Sequence, residues 1–337
     1  MCVKNVSIRN FGPIKSLDFN CSNGINLIIG SNSTGKTWLL KSIYTVLKTI
    51  EEQGRGNNPK SIEDIFSERL YWTYQNQRLG DLVTKGSSEK ASVDILFSDD
   101  NFKMEFSSSA EKKAQITHKT KNRSANSVFI PAKEVLSLFQ VIKKSRDIDK
   151  SFGFDDTYLD LARALDVSPK QDIDKDFSEQ MSNLENIING KLVFENGSWI
   201  YKQGNNKFSI YSMAEGVKKL SIFNRLLENG YISPESIIFI DEPESALHPQ
   251  ALIQFFDIID SLRKTGIQFF IATHSYFVIK KLVLLAKKNK KHIPLLAFEN
   301  DKYRIEDLLE GLPADIDIIK QSIDLYEEET ELAFKNL

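Results

Sequence analysis

The 337-residue sequence predicts an α/β fold with a mainly parallel core sheet, an antiparallel β subdomain and an inserted helical lobe. Three short apolar runs have the composition of strands buried on both faces: Ile25–Ile29, Ser236–Ile240 and Ile267–Ala272. Apolar residues at helical spacing follow the first run, over Thr37–Ile50, and separate the other two, over Pro249–Lys264. A strand, a helix and a strand of these lengths imply a parallel βαβ unit.

The antiparallel part is predicted from hairpin signals. Val3–Ile8 alternates apolar and polar residues, and Leu17–Asn20 resumes the alternation after a turn at Phe11–Pro13. Asn196 and Gly197 lie between two apolar segments, which is a strong hairpin signal. Short strands separated by polar turns are expected to add antiparallel strands to the sheet: Ser92–Phe97, Phe102–Phe106 and Gln115–Thr120.

The remaining segments are mainly helical in pattern. Glu134 to about Ile188, interrupted near Gly153 and Pro169, is polar enough to predict a projecting lobe. Residues 51–62 are polar and rich in Gly and Asn, which indicates a surface loop. The other predicted elements are helices at Ile62–Tyr74 and Val217–Leu227, strands at Ser127–Ile130 and Ile293–Phe298, and helices from there through Ala333.

Composition indicates a globular, cytoplasmic protein without a membrane span. Hydrophobic residues make up 41% of the chain, and 44 basic and 46 acidic side chains leave a net charge of -2, which does not demand a polyanionic partner. No apolar run approaches the ~20 residues that cross a bilayer, and no signal peptide opens the chain. Cys2 and Cys21 have no partner Cys or His at metal-ligand spacing. We expect two reduced thiols, and a disulfide or a redox switch is the alternative.

One loop has the residues needed to bind phosphate. It matches G-x-x-x-x-G-K-[ST] and lies between the first buried strand and its helix. Glycines let main-chain N–H groups converge on phosphate oxygens, and a helix N-terminus favours an anion. The alternative, a chance glycine–lysine turn, does not explain the flanking strand and helix. The predicted nucleotide ligands are Gly30, Ser31, Asn32, Ser33, Thr34, Gly35, Lys36, Thr37 and Trp38.

Two acids end the second buried strand, at the edge where ligands bind in open α/β sheets. Asp241 is predicted to hold Mg²⁺ together with the Thr37 hydroxyl, and Lys36 to supply charge to the β and γ phosphates of ATP. Glu242 is predicted to orient and activate water for attack on the γ phosphate. Adjacent acids on a solvated surface are the alternative, and the buried strand before them argues against it.

A histidine ends the third buried strand. His274 therefore lies at the same sheet edge as the two acids, where it can contact the γ phosphate or the attacking water. We predict a catalytic switch role for it. A lone histidine is usually an ordinary core or surface group, and that interpretation is kept for His118 and His292.

Together, the glycine loop, the late Asp–Glu pair and the strand-end histidine resemble the ABC ATPase superfamily of P-loop NTPases. The N-terminal hairpin, with Ile8–Pro13, resembles the structural-maintenance-of-chromosomes (SMC) and recombination branch. Asp241–Pro249, together with Phe129–Lys133, is most similar to the ATPases of the overcoming-lysogenization-defect (OLD) group. The resemblance implies an ABC ATPase head that uses ATP and Mg²⁺, and related small ATPases accompany toxins or nucleases in bacterial anti-phage systems.

In that superfamily two ATP molecules lie between two heads, each completed by a signature segment of the opposite head. The similar segment is Ser212–Val217, where Gly216 and the helix N-terminus would meet the partner's γ phosphate. Ala214 stands where the family usually has serine, and Glu215 where many members have glycine, so an ordinary helix cap is the alternative. Ser245–His248 corresponds to the D-loop, which runs along the dimer seam in the family.

The resemblance also divides the chain and suggests further contacts. Arg9 and Asn10 are expected near the nucleotide, and Gln140 is a candidate for the glutamine loop, with a helix-surface amide as the alternative. The predicted parts are a first ATPase lobe at 1–133, a helical lobe at 134–190, a second ATPase lobe at 191–300 and a C-terminal helical tail at 301–337.

The predicted function is an ATP-hydrolysing switch that forms an ATP-dependent homodimer or higher oligomer and controls a separate effector, a nuclease or toxin, in anti-phage defence. The chain after His274 is too short for the Toprim nuclease domain of OLD nucleases, so we do not expect this chain to be the nuclease. One alternative is a DNA repair head that grips duplex DNA through Lys280–Lys281 and Lys287–Lys291. Another is the nucleotide-binding subunit of a transporter, which fits poorly without a standard signature.

Overall fold

The computed structural model describes residues 1–54, 60–98, 100–118, 120–299 and 302–335. Its strands are β1 (Val3–Phe11), β2 (Ile14–Asn20), β3 (Ile25–Gly30), β4 (Ala91–Phe97), β5 (Asn101–Phe106), β6 (Gln115–His118), β7 (Ser127–Ile130), β8 (Lys191–Glu195), β9 (Ser198–Gln203), β10 (Asn206–Ser209), β11 (Ile237–Asp241), β12 (Gln268–Thr273), β13 (Pro294–Glu299) and β14 (Lys302–Asp307). Its α-helices are α1 (Lys36–Glu52), α2 (Ile62–Tyr74), α3 (Phe139–Lys143), α4 (Asp156–Asp166), α5 (Lys175–Ile188), α6 (Glu215–Glu228), α7 (Pro249–Lys264), α8 (Tyr276–Asn289) and α9 (Asp317–Lys335).

In the described part of the chain, the central sheet has six strands in the order β14-β13-β3-β12-β11-β7. Five of them run parallel, and β14 pairs antiparallel with β13 at one edge. Every residue of β3, β11 and β12 is buried, which is why their nearly all-apolar sequence predicts strands covered on both faces. The three predicted strands, and the parallel crossover through α7, are confirmed.

The side chains of the parallel sheet alternate between two hydrophobic cores. Leu27 and Phe269 belong to a core shared with helices α4 to α8. Ile28 and Phe270 belong to a second core, which contains the buried faces of α1 and α2 and of β1, β4 and β5. The parallel sheet is therefore a middle layer, and its strand ends are fixed from both sides.

A separate antiparallel sheet has the strand order β2-β1-β4-β5-β6. Val6 of β1 pairs with Phe19 of β2 on one side and with Ile95 of β4 on the other. The predicted N-terminal hairpin is confirmed. The expectation that β4, β5 and β6 extend the parallel sheet is wrong, because β7 and β14 occupy its edges and the alternating strands bury one face against α1 and α2.

The helical segment between β7 and β8 packs onto the parallel sheet instead of projecting from it. Leu159 of α4 and Leu184 of α5 are at most 5% exposed and lie in the core that covers one face of the sheet. Lys41 of α1 donates to Asp155 Oδ2, just before α4, at 2.6 Å. The polar faces of these helices suggested a lobe, because the sequence does not show which neighbour covers their apolar faces.

Other differences lie outside the central layers. The predicted hairpin at Asn196 and Gly197 is confirmed, but the small sheet has a third strand, β10. The strand β14 replaces part of the helical tail that we expected after β13. Residues 55–59 of the predicted loop 51–62, and residue 119 of the strand predicted to reach Thr120, lie outside the described residues. None of the described helices is long and apolar enough to cross a membrane.

Candidate functional site

The glycine loop joins β3 to α1 with main-chain angles that few residues adopt. Gly30 has a φ of 152°, Gly35 of 107° and Ser33 of 64°. A Cβ on Gly30 would lie 2.7 Å from Thr34 Oγ1 and 2.9 Å from the main-chain oxygen of Phe298. The first glycine of the loop is therefore required both by its φ and by the strand that packs beside it.

Lys36 begins α1, and its side chain folds back over the loop. Its Nζ donates to the main-chain oxygen of Gly30 at 2.7 Å and to that of Ser31 at 2.8 Å. Burial lowers the pKa of Lys36, while the charges of Asp241 and Glu242 oppose that shift. The ammonium group is thus held beside the loop, where phosphate oxygens can take the place of the two carbonyl oxygens.

Thr37 and Asp241 form the part of the site that suits a divalent cation. The Thr37 hydroxyl donates to Asp241 Oδ2 at 2.8 Å, and Oδ1 is buried without a hydrogen-bond partner in the described part of the chain. Burial raises the pKa of Asp241, and the bond from Thr37 opposes this. A hydroxyl and an orphaned carboxylate oxygen are hard ligands that fit Mg²⁺.

Such a cation would need further ligands. Among the described residues, no group of three or more His, Cys, Asp or Glu side chains is placed to hold a metal ion. Mg²⁺ usually keeps several waters and binds through one or two protein ligands plus substrate phosphates. The pair formed by Thr37 and Asp241 therefore fits a cation that arrives with a nucleotide.

Glu242 and His274 meet at the same edge of the sheet. Glu242 directly follows β11, and its N–H donates to the main-chain oxygen of Ala272 at 2.9 Å. Its Oε1 lies 3.3 Å from His274 Nδ1, and the two side chains are 32% and 47% exposed. A carboxylate and an imidazole in contact at an open edge can hold a water molecule and accept its proton.

Glu244 fixes the main chain at His274 and has no predicted role. Its Oε1 accepts a hydrogen bond from Thr273 Oγ1 at 2.7 Å and from His274 N at 3.2 Å. Sequence reasoning missed it because an acid in a turn usually indicates a solvated position. The available signal was its place two residues after Glu242, in the same turn.

Two lysines that were not predicted lie near the site: the charge of Lys41 acts on Asp241, and Lys219 contacts the main chain of Glu242. Lys41, one turn after Thr37, pairs with Asp155 at 2.6 Å. Lys219 of α6 donates to the main-chain oxygen of Glu242 at 2.6 Å. A lysine in an amphipathic helix ordinarily indicates a solvated face, so the sequence contains no signal for either contact.

Gly216 lies near the start of α6 and packs against the predicted D-loop of its own chain. A Cβ on Gly216 would lie 2.6 Å from the main-chain oxygen of Ala246. Ala214 is the N-cap of α6 and makes no side-chain capping hydrogen bond. Ala214 and Glu215 are exposed, so the helix N-terminus lies at the surface.

Trp38 follows the loop, and its ring packs against two other aromatic rings. The ring packs against Tyr74 at a centroid distance of 4.4 Å and against Phe11 at 5.5 Å. A Cβ on Gly12 would lie 2.1 Å from the same ring. The side chain is half-buried, and contact of Trp38 with a nucleotide stays a prediction.

The weaker candidates lie in ordinary surroundings. Gln140 donates to the main-chain oxygen of Gly197 at 3.2 Å and is exposed on α3, as the helix-surface alternative assumes. Arg9 donates to the main-chain oxygen of Leu17 at 2.8 Å, within the hairpin. Asn10 donates to Glu89 Oε2 at 3.1 Å. Among the described contacts, none joins these three residues to Asp241 or Glu242.

A family model matches the part of the chain that contains the two acids and the histidine. A family model described as "AAA domain, putative AbiEii toxin, Type IV TA system" matches residues 75–280. The matched region contains Gly216, Asp241, Glu242 and His274, and it begins after the glycine loop. The loop is therefore identified by its own sequence and geometry.

A short segment is similar to curated repair proteins. The DNA replication and repair protein RecF of Francisella tularensis subsp. novicida (strain U112) is 43% identical over 44 residues, and so is that of subsp. tularensis (strain SCHU S4 / Schu 4). Each match covers 13% of this chain and 13% of the relative. The chain thus spans only a small part of the curated relatives it matches.

The fold is similar to solved SMC heads. The SMC head domain from Thermotoga maritima aligns with a TM-score of 0.51 at 15% identity, over 91% of this chain and 99% of that one. An SMC head bound to the C-terminal winged-helix domain of ScpA aligns with a TM-score of 0.55 at 16% identity, over 91% and 97%.

These likenesses agree with the site geometry. The SMC heads share the fold at low identity, and the glycine loop with its strand-end acids is that of a P-loop ATPase. Because the family model matches more than half of the sequence, the chain belongs to the AbiEii-type AAA domain family.

Proposed function

We propose that the protein is an OLD-like molecular switch: it binds ATP with Mg²⁺, forms a homodimer or higher oligomer, hydrolyses the nucleotide and thereby controls a separate effector. One observation carries the proposal. Lys36, the Thr37–Asp241 pair and the Glu242–His274 pair lie at one edge of the parallel sheet. A phosphate-binding lysine, a cation pair and a base at one edge are the parts that phosphoryl transfer requires.

Each residue of the site has its own role in the proposed hydrolysis. Lys36 would neutralise charge on the β and γ phosphates, and Thr37 and Asp241 would hold Mg²⁺, which supplies further positive charge to the phosphate oxygens. Glu242 would orient a water molecule and accept its proton as the water oxygen bonds to the γ phosphorus and the bridging oxygen leaves with ADP. His274 would donate a hydrogen bond to the transferring group.

The proposed dimer depends on the N-terminus of α6. Ala214 and Glu215 are exposed there, and Ala214 has no polar side chain to cap the helix, so its first N–H groups would be open to an anion. Gly216 brings this helix close to the D-loop of the same chain. Both segments belong to the dimer seam in the ABC superfamily, which supports a site completed by a second copy.

Two variants test the ATPase proposal. Glu242→Gln should bind ATP, hydrolyse it about 100-fold more slowly and accumulate as an ATP-dependent dimer in light scattering, because general-base catalysis contributes about 10²–10⁴-fold. Lys36→Ala should lose nucleotide binding and remain monomeric. Wild-type turnover by Glu242→Gln would refute the base assignment, and a monomer at saturating ATP would refute the switch. Gln140→Ala, on an exposed helix surface, is the matched control.

The effector is proposed to be a nuclease or toxin used in anti-phage defence. The family description names a toxin of a type IV toxin–antitoxin system, which supports a toxin-linked role. Co-expression of this chain with the product of the neighbouring reading frame should reduce phage plating, and Lys36→Ala should abolish the protection. Equal protection by Lys36→Ala would separate defence from ATP and count against the proposal.

DNA binding is a second candidate, supported by the short RecF match and a basic face of α8. Lys280, Lys287 and Lys288 are exposed on that helix. Neutralising phosphates releases counterions, so affinity for duplex DNA should fall steeply between about 50 and 200 mM salt. Salt-insensitive or absent binding in the ATP-bound Glu242→Gln protein would remove this function.

A further inference from the structure

A buried lysine contacts the main chain of the proposed catalytic base. Lys219, in the second turn of α6, is only 6% exposed. Its Nζ donates to the main-chain oxygen of Glu242 at 2.6 Å. A lysine is rarely buried without a partner that repays its lost hydration, so this contact needs an explanation.

The main chain of Glu242 has a conformation that must be held in place. Its φ is 49°, in the left-handed region that residues with a side chain rarely adopt. Among the described residues, three hydrogen bonds hold its main chain: Glu242 N donates to Ala272 O at 2.9 Å, and Glu242 O accepts from Ser245 N at 3.0 Å and from Lys219 Nζ at 2.6 Å. Lys219 provides the only one of these that comes from a side chain.

Three acids near Lys219 offset part of the cost of burying its charge. Burial lowers the pKa of Lys219 to about 8, and the charges of Glu244, Asp241 and Glu242 act against this. All three acids lie in the turn that follows β11 or at its start. The lysine therefore lies near three acids and donates to the main chain of one of them, Glu242.

The same helix also contacts the next part of that turn. Gly216 lies one turn before Lys219 and packs against Ala246, whose φ of 65° is again left-handed. Helix α6 thus contacts the turn at two points, at Glu242 and within the predicted D-loop at Ala246. A displacement of the α6 N-terminus would change the conformation of Glu242.

We propose that Lys219 is a positioning residue: through the main-chain oxygen of Glu242 it holds the carboxylate beside His274, so that the position of α6 sets the geometry of hydrolysis in the same chain. This rests on the proposed function, in which Glu242 acts on water. Lys219 would not touch the nucleotide. It would act on turnover and leave ATP affinity unchanged.

The test compares Lys219→Met with Lys218→Met, a matched loss of a neighbouring lysine that is equally buried and pairs with Glu215 at 2.9 Å. Lys219→Met should bind ATP within about twofold of wild type and turn over about 10- to 100-fold more slowly, because small displacements of a reacting group cost up to about 10²-fold. Lys219→Arg, which keeps the charge and donors, should recover at least about a third of the lost rate. Lys218→Met should keep kcat within about twofold.

A double-mutant cycle separates positioning from a general structural role. In the Glu242→Gln background, Lys219→Met should cause no further loss of kcat, because the lysine acts through that side chain. Additive losses, or wild-type turnover by Lys219→Met, would overturn the inference. If Lys219→Met fails to fold, Lys219→Gln, whose shorter side chain cannot reach the same oxygen, replaces it with the same expected and refuting results. Wild-type protein without ATPase activity would instead refute the proposed function.

Discussion

Glu244 provides a sharp test of how the histidine is held at the sheet edge. Its Oε1 accepts two hydrogen bonds, from Thr273 Oγ1 at 2.7 Å and from His274 N at 3.2 Å. The side chain is only 15% exposed, so solvent screens these bonds little. Truncation to Ala would remove this acceptor and leave the Thr273 hydroxyl and the His274 N–H without a carboxylate partner.

The expected magnitude follows from those two contacts. Hydrogen bonds to a charged group contribute about 1.5–3 kcal/mol each. Oε2 is buried without a hydrogen-bond partner among the described residues. Removing this unpaired oxygen relieves its desolvation cost and offsets part of the hydrogen-bond energy that is lost. Glu244→Ala should therefore destabilise the chain by about 2–4 kcal/mol. At about 1–2 °C per kcal/mol for a chain of this size, the melting temperature should fall by about 3–6 °C.

Thermal denaturation without nucleotide and steady-state ATPase kinetics measure the two consequences. Glu244→Ala should lower kcat by about tenfold, because His274 would lose its fixed main-chain position. Glu244→Gln keeps the carbonyl acceptor and should lose less than half as much in both measurements. A melting temperature within about 1 °C of wild type, together with unchanged kcat, would show that Glu244 does not fix the histidine.

Three further perturbations have defined outcomes. Gly30→Ala forces a Cβ to within 2.7 Å of Thr34 Oγ1 at a φ of 152° and should cost about 2–5 kcal/mol, read from denaturation midpoints, together with lost binding of a fluorescent ATP analogue. Asp241→Asn should abolish the dependence of ATP binding on Mg²⁺ in a magnesium titration; its melting temperature without ligand should be equal or higher, because burial raises the pKa of Asp241 and makes its charge costly. A lower melting temperature would contradict that reasoning. Burial raises the pKa of Asp156 from 3.8 to about 6, so the folded state binds this proton more tightly than the unfolded state. The stability of wild type relative to Asp156→Asn should therefore be greatest below about pH 4 and should decline as the pH rises to about 6. Melting temperatures of both proteins across this pH range measure the trend. If the advantage of wild type grew between about pH 4 and pH 6, the reasoning about Asp156 would be wrong.

The central layer could be predicted from sequence because a strand that is buried on both faces needs apolar side chains at nearly every position. Runs such as that in β3 have no polar side, and a helical pattern follows at once. The glycine loop and the Asp–Glu pair were identified for the same reason, since each directly follows a buried strand. Their positions at one edge require only that the strands be parallel.

The rest depends on contacts that no local pattern encodes. Lys219 has the spacing of a helix-surface residue, and only the packing of α6 against the turn after β11 buries it. Strands β4 to β6 carry the right alternation, but alternation does not say which sheet they join. Sequence reasoning therefore found the groups to which we assign the chemistry and missed the groups that we propose position them.

Strand register explains why the separated motifs converge. Asp241 pairs with Ala272 across β11 and β12, and Thr273 pairs with Ile29 across β12 and β3. The residues that follow each strand therefore emerge at nearly the same level. A shift of one residue would turn each side chain to the opposite face of the sheet, and Asp241 could no longer accept from Thr37. The phenylalanines and isoleucines of these strands specify that register through the two cores, so the hydrophobic pattern that predicts the fold also places the chemical groups at its edge.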